Sequence, residues 1–234
     1  MRPAFIALMC AAGLAGLTLL VASGQSVPGE IDVVRLVVGL RNEPLTAFIQ
    51  GLTFITSATP ALFITLALSA VEVAGHFRRK AFAGSLFERA RAAAGSFAYW
   101  PALAYAGALI CNIGLRIAVG RLPPEVDYIP HALPELRADF QRFAFPSGHA
   151  GAAVAAYGSA AIMIASRWPL ARCWAWAIAG LIIVGTGLGR VYLGVHWPTD
   201  VAGGFLLAGA WLALSIHIRD KTARRAERSE FNTT

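Results

Sequence analysis

Hydrophobic and polar positions fall into long blocks along this chain, without the residue-by-residue alternation of a half-buried strand. Apolar runs occupy residues 4–23, 45–75, 96–119, 147–165, 173–188 and 198–218, separated by polar or basic stretches. An α-helix crosses the hydrocarbon of a bilayer with roughly 20 apolar residues, so the pattern predicts six transmembrane helices. The run at 45–75 is the longest, and Pro60 inside it predicts a kink. Residues 31–40 are apolar as well, but the segment is short and carries Asp32 and Arg35. It reads as an interfacial helix after the first span. The first run has a rival reading as a cleaved leader, because Arg2 precedes it and Val21-Ala22-Ser23 offers a processing site. A retained helix is the expectation. The fold class is therefore all-α: a polytopic membrane bundle over residues 1–218, followed by a basic tail at 219–234 that reads as cytoplasmic and disordered.

Composition agrees with this pattern. Hydrophobic residues make up 57% of the 234 and charged residues 14%, where a soluble domain carries about 25% charged. Mean hydropathy is +0.60. A net charge of +7 raises the question of nucleic acid, but the basic residues sit mainly in short segments between apolar runs, where they set topology. Arg2, five residues at 78–91, Arg167, Arg172 and five in the tail place 13 of the 20 Lys and Arg on one side. That side is the cytoplasm by the positive-inside rule. Cys10, Cys111 and Cys173 lie far apart in or beside apolar runs and read as small hydrophobes, with neither disulfide nor metal spacing.

The minority charges gather around two polar motifs. In Phe145-Pro146-Ser147-Gly148-His149 a proline and small residues open the fourth span. The free amides and positive end of a helix bind anions; Ser147 adds a hydroxyl, Gly148 close approach and His149 a titratable proton. Simple N-capping by Ser147 explains the same residues. The second motif runs from Gly189 and Arg190 through Tyr192-Leu193-Gly194-Val195-His196-Trp197-Pro198 to Asp200. His196 and Asp200 stand four apart, one helical turn. A carboxylate there can hold the Nδ1 proton and leave Nε2 as nucleophile or base, while Arg190 offers a planar cation suited to phosphate. Capping or packing is the plainer reading of this pair in isolation. Both motifs fall at the non-cytoplasmic ends of adjacent spans, where ionisable groups are costly and usually functional.

Together, Pro146-Ser147-Gly148-His149 and Arg190 through Asp200 resemble the second and third signature blocks of the type 2 phosphatidic acid phosphatases. That superfamily also contains glucose-6-phosphatase and the vanadium haloperoxidases. The likeness covers about residues 32–204 and includes the six-span layout. It implies that His196 is the nucleophile forming a phosphohistidine, oriented by Asp200, and that His149 is the general acid. Arg190, Ser147 and the Gly148 amide would cradle the phosphoryl oxygens. The family needs no metal or other cofactor, and the chain shows no carboxylate cluster suited to Mg²⁺.

The first signature block departs from the family pattern. A lysine, six residues and Arg-Pro are expected, but Arg116 stands for the lysine and Pro123 for the arginine. Gly189 also replaces the usual serine before Arg190. Arg121, two residues before Pro123, is expected to complete the phosphate cradle with Arg116. Arg142 is the other candidate, and pairing of Arg121 with Glu125 or lipid headgroups is the plainer alternative. His131 reads as a solvated loop residue that could line the entrance.

The resemblance implies a metal-independent lipid phosphate phosphatase at the outer leaflet of a bacterial inner membrane, with both termini cytoplasmic. Undecaprenyl (pyro)phosphate, phosphatidylglycerophosphate, phosphatidic acid and a lipid A phosphate all fit such a site, and the bilayer is its partner. A phosphotransferase would use the same residues, and a degenerate protein could bind lipid phosphate without turnover. A transporter fits less well, since no internal repeat is visible.

Overall fold

The computed structural model describes residues 2–24, 27–79, 97–124 and 143–231. His131, Arg142 and most of the basic loop at 78–91 lie outside the described residues. Helices α1 (Pro3–Ala22), α2 (Glu30–Val38), α3 (Glu43–Ile55), α4 (Ala58–Arg79) and α5 (Trp100–Val119) precede the Pro146-Ser147 turn. Helix α6 (Gly148–Ala153) passes through a π-helical turn (Val154–Gly158) into α7 (Ser159–Arg167). A 3₁₀ turn (Pro169–Ala171), α8 (Arg172–Tyr192) and α9 (Pro198–Phe231) complete the order. Among the described residues, six segments are long and apolar enough to cross a membrane: α1, Ala58–Phe77, α5, Gly148–Arg167, Pro169–Tyr192 and Pro198–Arg225. This is the six-span helical bundle that the hydropathy pattern predicts.

Burial sorts the spans into centre and rim. Of the Gly148–Arg167 span, 56% is buried, against 6% of α1. The central span is built of small residues, with Ala150, Ala152, Ala153, Ala155, Ala156 and Ala161 all buried. Lipid tails are as apolar as leucine, so helices in a bilayer associate through close packing of small residues instead of hydrophobic gain. Two glycines show how close the backbones come. A Cβ at Gly204 of α9 would overlap the Ser147 carbonyl oxygen, and one at Gly203 would meet the Phe145 ring at 2.6 Å. The start of α9 is thereby laid directly on the Pro146-Ser147 turn. Helix α1 runs along α9, with Gly13 against Leu206 and Gly209 against Cys10.

Two expectations change. The run at 45–75 is two helices, α3 and α4, broken at Thr56-Ser57 and not kinked at Pro60. Asn42 caps α3 by accepting the Leu45 amide at 3.0 Å. Pro60 falls in the first turn of α4, where amides have no intrahelical partner and a missing N–H costs little. The break is satisfied from outside: Tyr157 Oη donates to the Ile55 carbonyl at 3.1 Å and Tyr105 Oη to the Ala58 carbonyl at 2.7 Å. Helix α3 leans on α8 and α4 on α5, so the two halves part company. The second change concerns the tail, which continues α9 as helix through Phe231. Its Ala, Arg, Lys and Glu residues are strong helix formers, and neither glycine nor proline interrupts them.

The close approach at Gly204 can be tested directly. Gly204→Val should lower the thermal unfolding temperature in detergent, because overpacking a tight contact costs about 1–3 kcal/mol. Gly51→Ala, whose added methyl meets nothing within 4 Å, should not. Equal melting of the two variants would refute the tight packing.

Candidate active site

Helices α4, α5, α6, α8 and α9 surround a cavity of about 270 Å³. Its polar wall consists of Asn112 and Arg116 from α5, Gly148 and His149 from α6, Arg190 from α8, and His196 from the α8–α9 turn. Its apolar wall includes Ala58, Tyr105, Leu109, Ile113, Pro123 and Leu207. The structure thus brings His149 together with Arg190 and His196, about 40 residues further along the chain, with Arg116 beside them.

Each wall has a local cause. Pro146 and Ser147 end the approach to α6, so Gly148 and His149, both lining the cavity, occupy its first turn, where backbone amides have no intrahelical partner. The Pro146 carbonyl accepts from Arg116 Nε at 3.1 Å and from Asn112 Nδ2 at 3.0 Å. These donors stand one turn apart on α5 and tie that helix to the Phe145–His149 motif. On the other side, Tyr192 anchors the end of α8. Its hydroxyl accepts the Asn42 amide at 3.1 Å and lies 2.9 Å from Thr46 Oγ1, while Arg41 Nε donates to its carbonyl at 2.9 Å. Gly189, where the family has serine, packs under α3. A Cβ there would stand 2.9 Å from Ile49 Cγ2, so close contact with α3 accounts for the glycine.

Asp200 and Ser147 are fully buried and do not line the cavity. Asp200 Oδ2 accepts the Trp197 amide at 2.8 Å and lies 3.6 Å from His196 Nδ1. That separation is beyond a direct hydrogen bond but within ion-pair range, and it leaves Nε2 as the nitrogen able to attack. The Asp200 carbonyl accepts the Ser147 amide at 2.8 Å, joining the two motifs through the backbone. Ser147 Oγ has no hydrogen-bond partner. Burial pushes the His196 imidazole down to about 4, with the Arg190 and Arg116 cations adding to the effect and Asp200 opposing it. His196 is therefore neutral, with a free lone pair, across the physiological range.

A family model, the PAP2 superfamily, matches residues 97–224, more than half of the chain. The chain belongs to the PAP2 superfamily. Phosphatidylglycerophosphatase B of Bacillus subtilis is 44% identical over 68 residues, covering 28% of this chain and 34% of that protein. An undecaprenyl-diphosphatase of Sulfolobus acidocaldarius is 36% identical over 77 residues, covering 32% and 34% respectively. The chain thus spans about a third of the length of these curated relatives. The crystal structure of a transmembrane PAP2-type phosphatidylglycerolphosphate phosphatase from Bacillus subtilis superimposes with a TM-score of 0.66 at 24% identity. It covers 90% of this chain and 96% of the other, so the two share one fold.

Arg121 requires a correction. It does not line the cavity or complete a phosphate cradle with Arg116. Its Nη1 donates to Asp200 Oδ1 at 2.7 Å and to Thr199 Oγ1 at 2.6 Å, and its Nη2 to Glu30 Oε2 at 2.7 Å. The extended stretch after α5 carries Arg121 past the cavity and under the start of α9, where two carboxylates outcompete an open site. Pro123 is the residue that reaches the cavity wall. Sequence reasoning also missed Asn112 and Glu30. Asn112 carries a signal, a polar residue in an apolar run one turn before Arg116. Glu30 carries a weaker one, an acid opening an otherwise apolar interfacial helix.

The state of His196 can be measured. In ¹⁵N-histidine NMR of the detergent-solubilised protein, its resonance should remain that of neutral imidazole from pH 8 to about pH 5. A midpoint near the ordinary 6.5 would show that burial does not control it.

Proposed function

We propose that this PAP2 protein is a lipid phosphate phosphatase that works through a phosphohistidine on His196. The observation that carries the reading is one small cavity in which two histidines and two arginines, His149, His196, Arg116 and Arg190, meet the first turn of a helix. Phosphoryl transfer needs little from a protein beyond positioned positive charge and an in-line nucleophile. The arginines and the Gly148 amide bind the phosphoryl oxygens, and no metal is required to neutralise them. Activity should accordingly persist in EDTA.

The chemistry proceeds in two displacements. The His196 Nε2 lone pair attacks phosphorus, the bond from phosphorus to the leaving oxygen breaks, and His149 supplies the proton that this oxygen takes up. Asp200 supports the imidazole from the Nδ1 side as positive charge develops on the ring. Water then attacks the phosphohistidine, returning its proton to His149, and the phosphorus–nitrogen bond breaks to release phosphate.

A cavity of about 270 Å³ holds a headgroup phosphate but not a whole lipid, given ligand pockets of about 300–1,000 Å³. Leu109 lines the cavity and is 38% exposed. The apolar wall of Ala58, Tyr105, Leu109 and Ile113 therefore directs the hydrophobic tail into the membrane between α4 and α5. The substrate is an amphiphile with a terminal phosphate or pyrophosphate, the class named in both curated relatives. The charge distribution of the loops puts this site at the outer face of the bacterial inner membrane, with both termini inside.

Two experiments test the proposal. His196→Ala should reduce phosphate release from lipid phosphates in detergent below about one hundredth of wild type, since no other side chain can accept the group. His149→Ala should lose about 10²–10⁴-fold. Substantial turnover by purified His196→Ala protein would exclude the covalent route. For orientation, Leu40→Cys in an otherwise cysteine-free protein should react with an impermeant thiol reagent on intact spheroplasts. Leu170→Cys, 99% exposed in the turn between α7 and α8, should not. The opposite labelling pattern would place the site in the cytoplasm.

A further inference from the structure

Behind the cavity, and not part of it, charged groups form an alternating row. Glu30 opens α2, Arg121 follows α5, and Asp200 lies in the first turn of α9 beside His196. The two carboxylates are the more deeply buried members: Glu30 is 4% and Asp200 0% exposed, and the Arg121 side chain between them 16%. Glu30 Oε1 accepts the Thr199 amide at 2.9 Å and the Thr199 hydroxyl, while Oε2 takes Arg121 Nη2 at 2.7 Å. Arg121 Nη1 reaches Asp200 Oδ1 at 2.7 Å, and its guanidinium lies 5.0 Å from the centroid of the Trp197 ring. The Arg121 carbonyl also accepts the Ala144 amide at 2.7 Å. With both ends of its fork on carboxylates, this arginine is held from two sides.

We infer that Arg121 is a positioning residue for the reaction: clamped by Glu30, it fixes the Asp200 carboxylate and moderates its hold on the His196 proton. The inference rests on the reading of His196 as nucleophile. Its physical basis is the division of labour on Asp200. Oδ1 is taken by Arg121, so the carboxylate cannot rotate, and Oδ2 is left for the Trp197 amide and for Nδ1 of His196. A buried carboxylate with no counter-ion would draw a proton onto itself or onto its neighbour. A nucleophile that carries that proton cannot attack. Arg121 offsets this pull, and Glu30 in turn keeps Arg121 from cancelling Asp200 completely. The other charged or titratable groups acting on His196 are Arg190 from α8, Arg116 from α5 and His149 from α6.

The row predicts different consequences for the loss of Arg121 and the loss of Glu30. Losing the Arg121 charge leaves Asp200 uncompensated, so the Asp200–His196 pair takes up its proton at higher pH. Losing the Glu30 charge frees Arg121 to oppose Asp200 more strongly, so the pair does not take up its proton at higher pH. The experiment combines ¹⁵N-histidine NMR titration in micelles with kinetics on a lipid phosphate, for wild type, Arg121→Gln, Arg121→Lys and Glu30→Gln. Arg121→Gln should raise the midpoint of the pair by at least about half a unit. It should also lower kcat at least about tenfold, with KM changed far less. Arg121→Lys, which keeps the charge but not the fork, should recover part of both. Glu30→Gln should show no upward shift and a smaller loss of kcat. An unmoved midpoint in Arg121→Gln overturns the inference; a raised KM with that unmoved midpoint would mean that Arg121 serves phosphate binding instead. If Arg121→Gln fails to accumulate in the membrane, an upward shift in Glu30→Gln overturns it alone. The titration needs no turnover, so failure of the nucleophile reading would appear separately, as activity retained by His196→Ala.

Discussion

The carboxylate of Asp200 has no contact with solvent, and the protein must supply everything that water would. Leaving such a charge unpaired costs about 3–5 kcal/mol, so the surrounding chain is organised to prevent it. Arg121 comes from the stretch after α5, the Trp197 amide from the turn before α9, and Glu30 from α2 holds the arginine in place. The main chain of the same residue binds Ser147 at the start of α6. One buried charge thus joins the segments that carry all the signature motifs. A short interfacial helix, α2, becomes part of the active-site support through its first residue.

Close packing in lipid is the second constraint on the site. Charged and polar groups can meet at one end of the bundle only if the helices that carry them approach within reach of short side chains. Gly203 and Gly204 remove the atoms that would separate α9 from the Pro146-Ser147 turn, and Gly189 does the same between α8 and α3. The alanine-rich central span provides the common surface. Gly189, Gly203 and Gly204 do not line the cavity, yet they set the spacing between His149 and His196. The hydrogen bonds of Arg116 and Asn112 to the Pro146 carbonyl then hold the turn from the side of α5.

The altered first signature block finds its place in this arrangement. Arg116 occupies the cavity wall where the family has lysine, and Pro123 presents an apolar surface where the family has arginine. On the proposed reading the phosphate cradle draws its positive charge from Arg116, Arg190 and the helix start, while Arg121 binds the Asp200 carboxylate behind His196. A planar fork suits that task, because it can bind two acceptors at once in fixed geometry.

Hydropathy alone determined the helical class, the six spans and the short helix between the first two, because a bilayer imposes length and polarity on every crossing segment. Motif spacing singled out His149, Arg190, His196 and Asp200, since ionisable residues at the ends of apolar spans are costly and stand out from the hydropathy pattern. Tertiary structure decided what depended on distant partners. The break at Thr56-Ser57 arises because α3 and α4 pack on different helices and two tyrosines satisfy the exposed carbonyls. The partner of Arg121 was equally hidden, because Glu30 and Asp200 lie 91 and 79 residues away in sequence. An arginine near a phosphate motif reads as a phosphate ligand until the fold shows a buried carboxylate closer to it. Local pattern records what each segment must be, whereas the assignment of one charge to another is settled by three-dimensional proximity and by the cost of leaving either one unpaired.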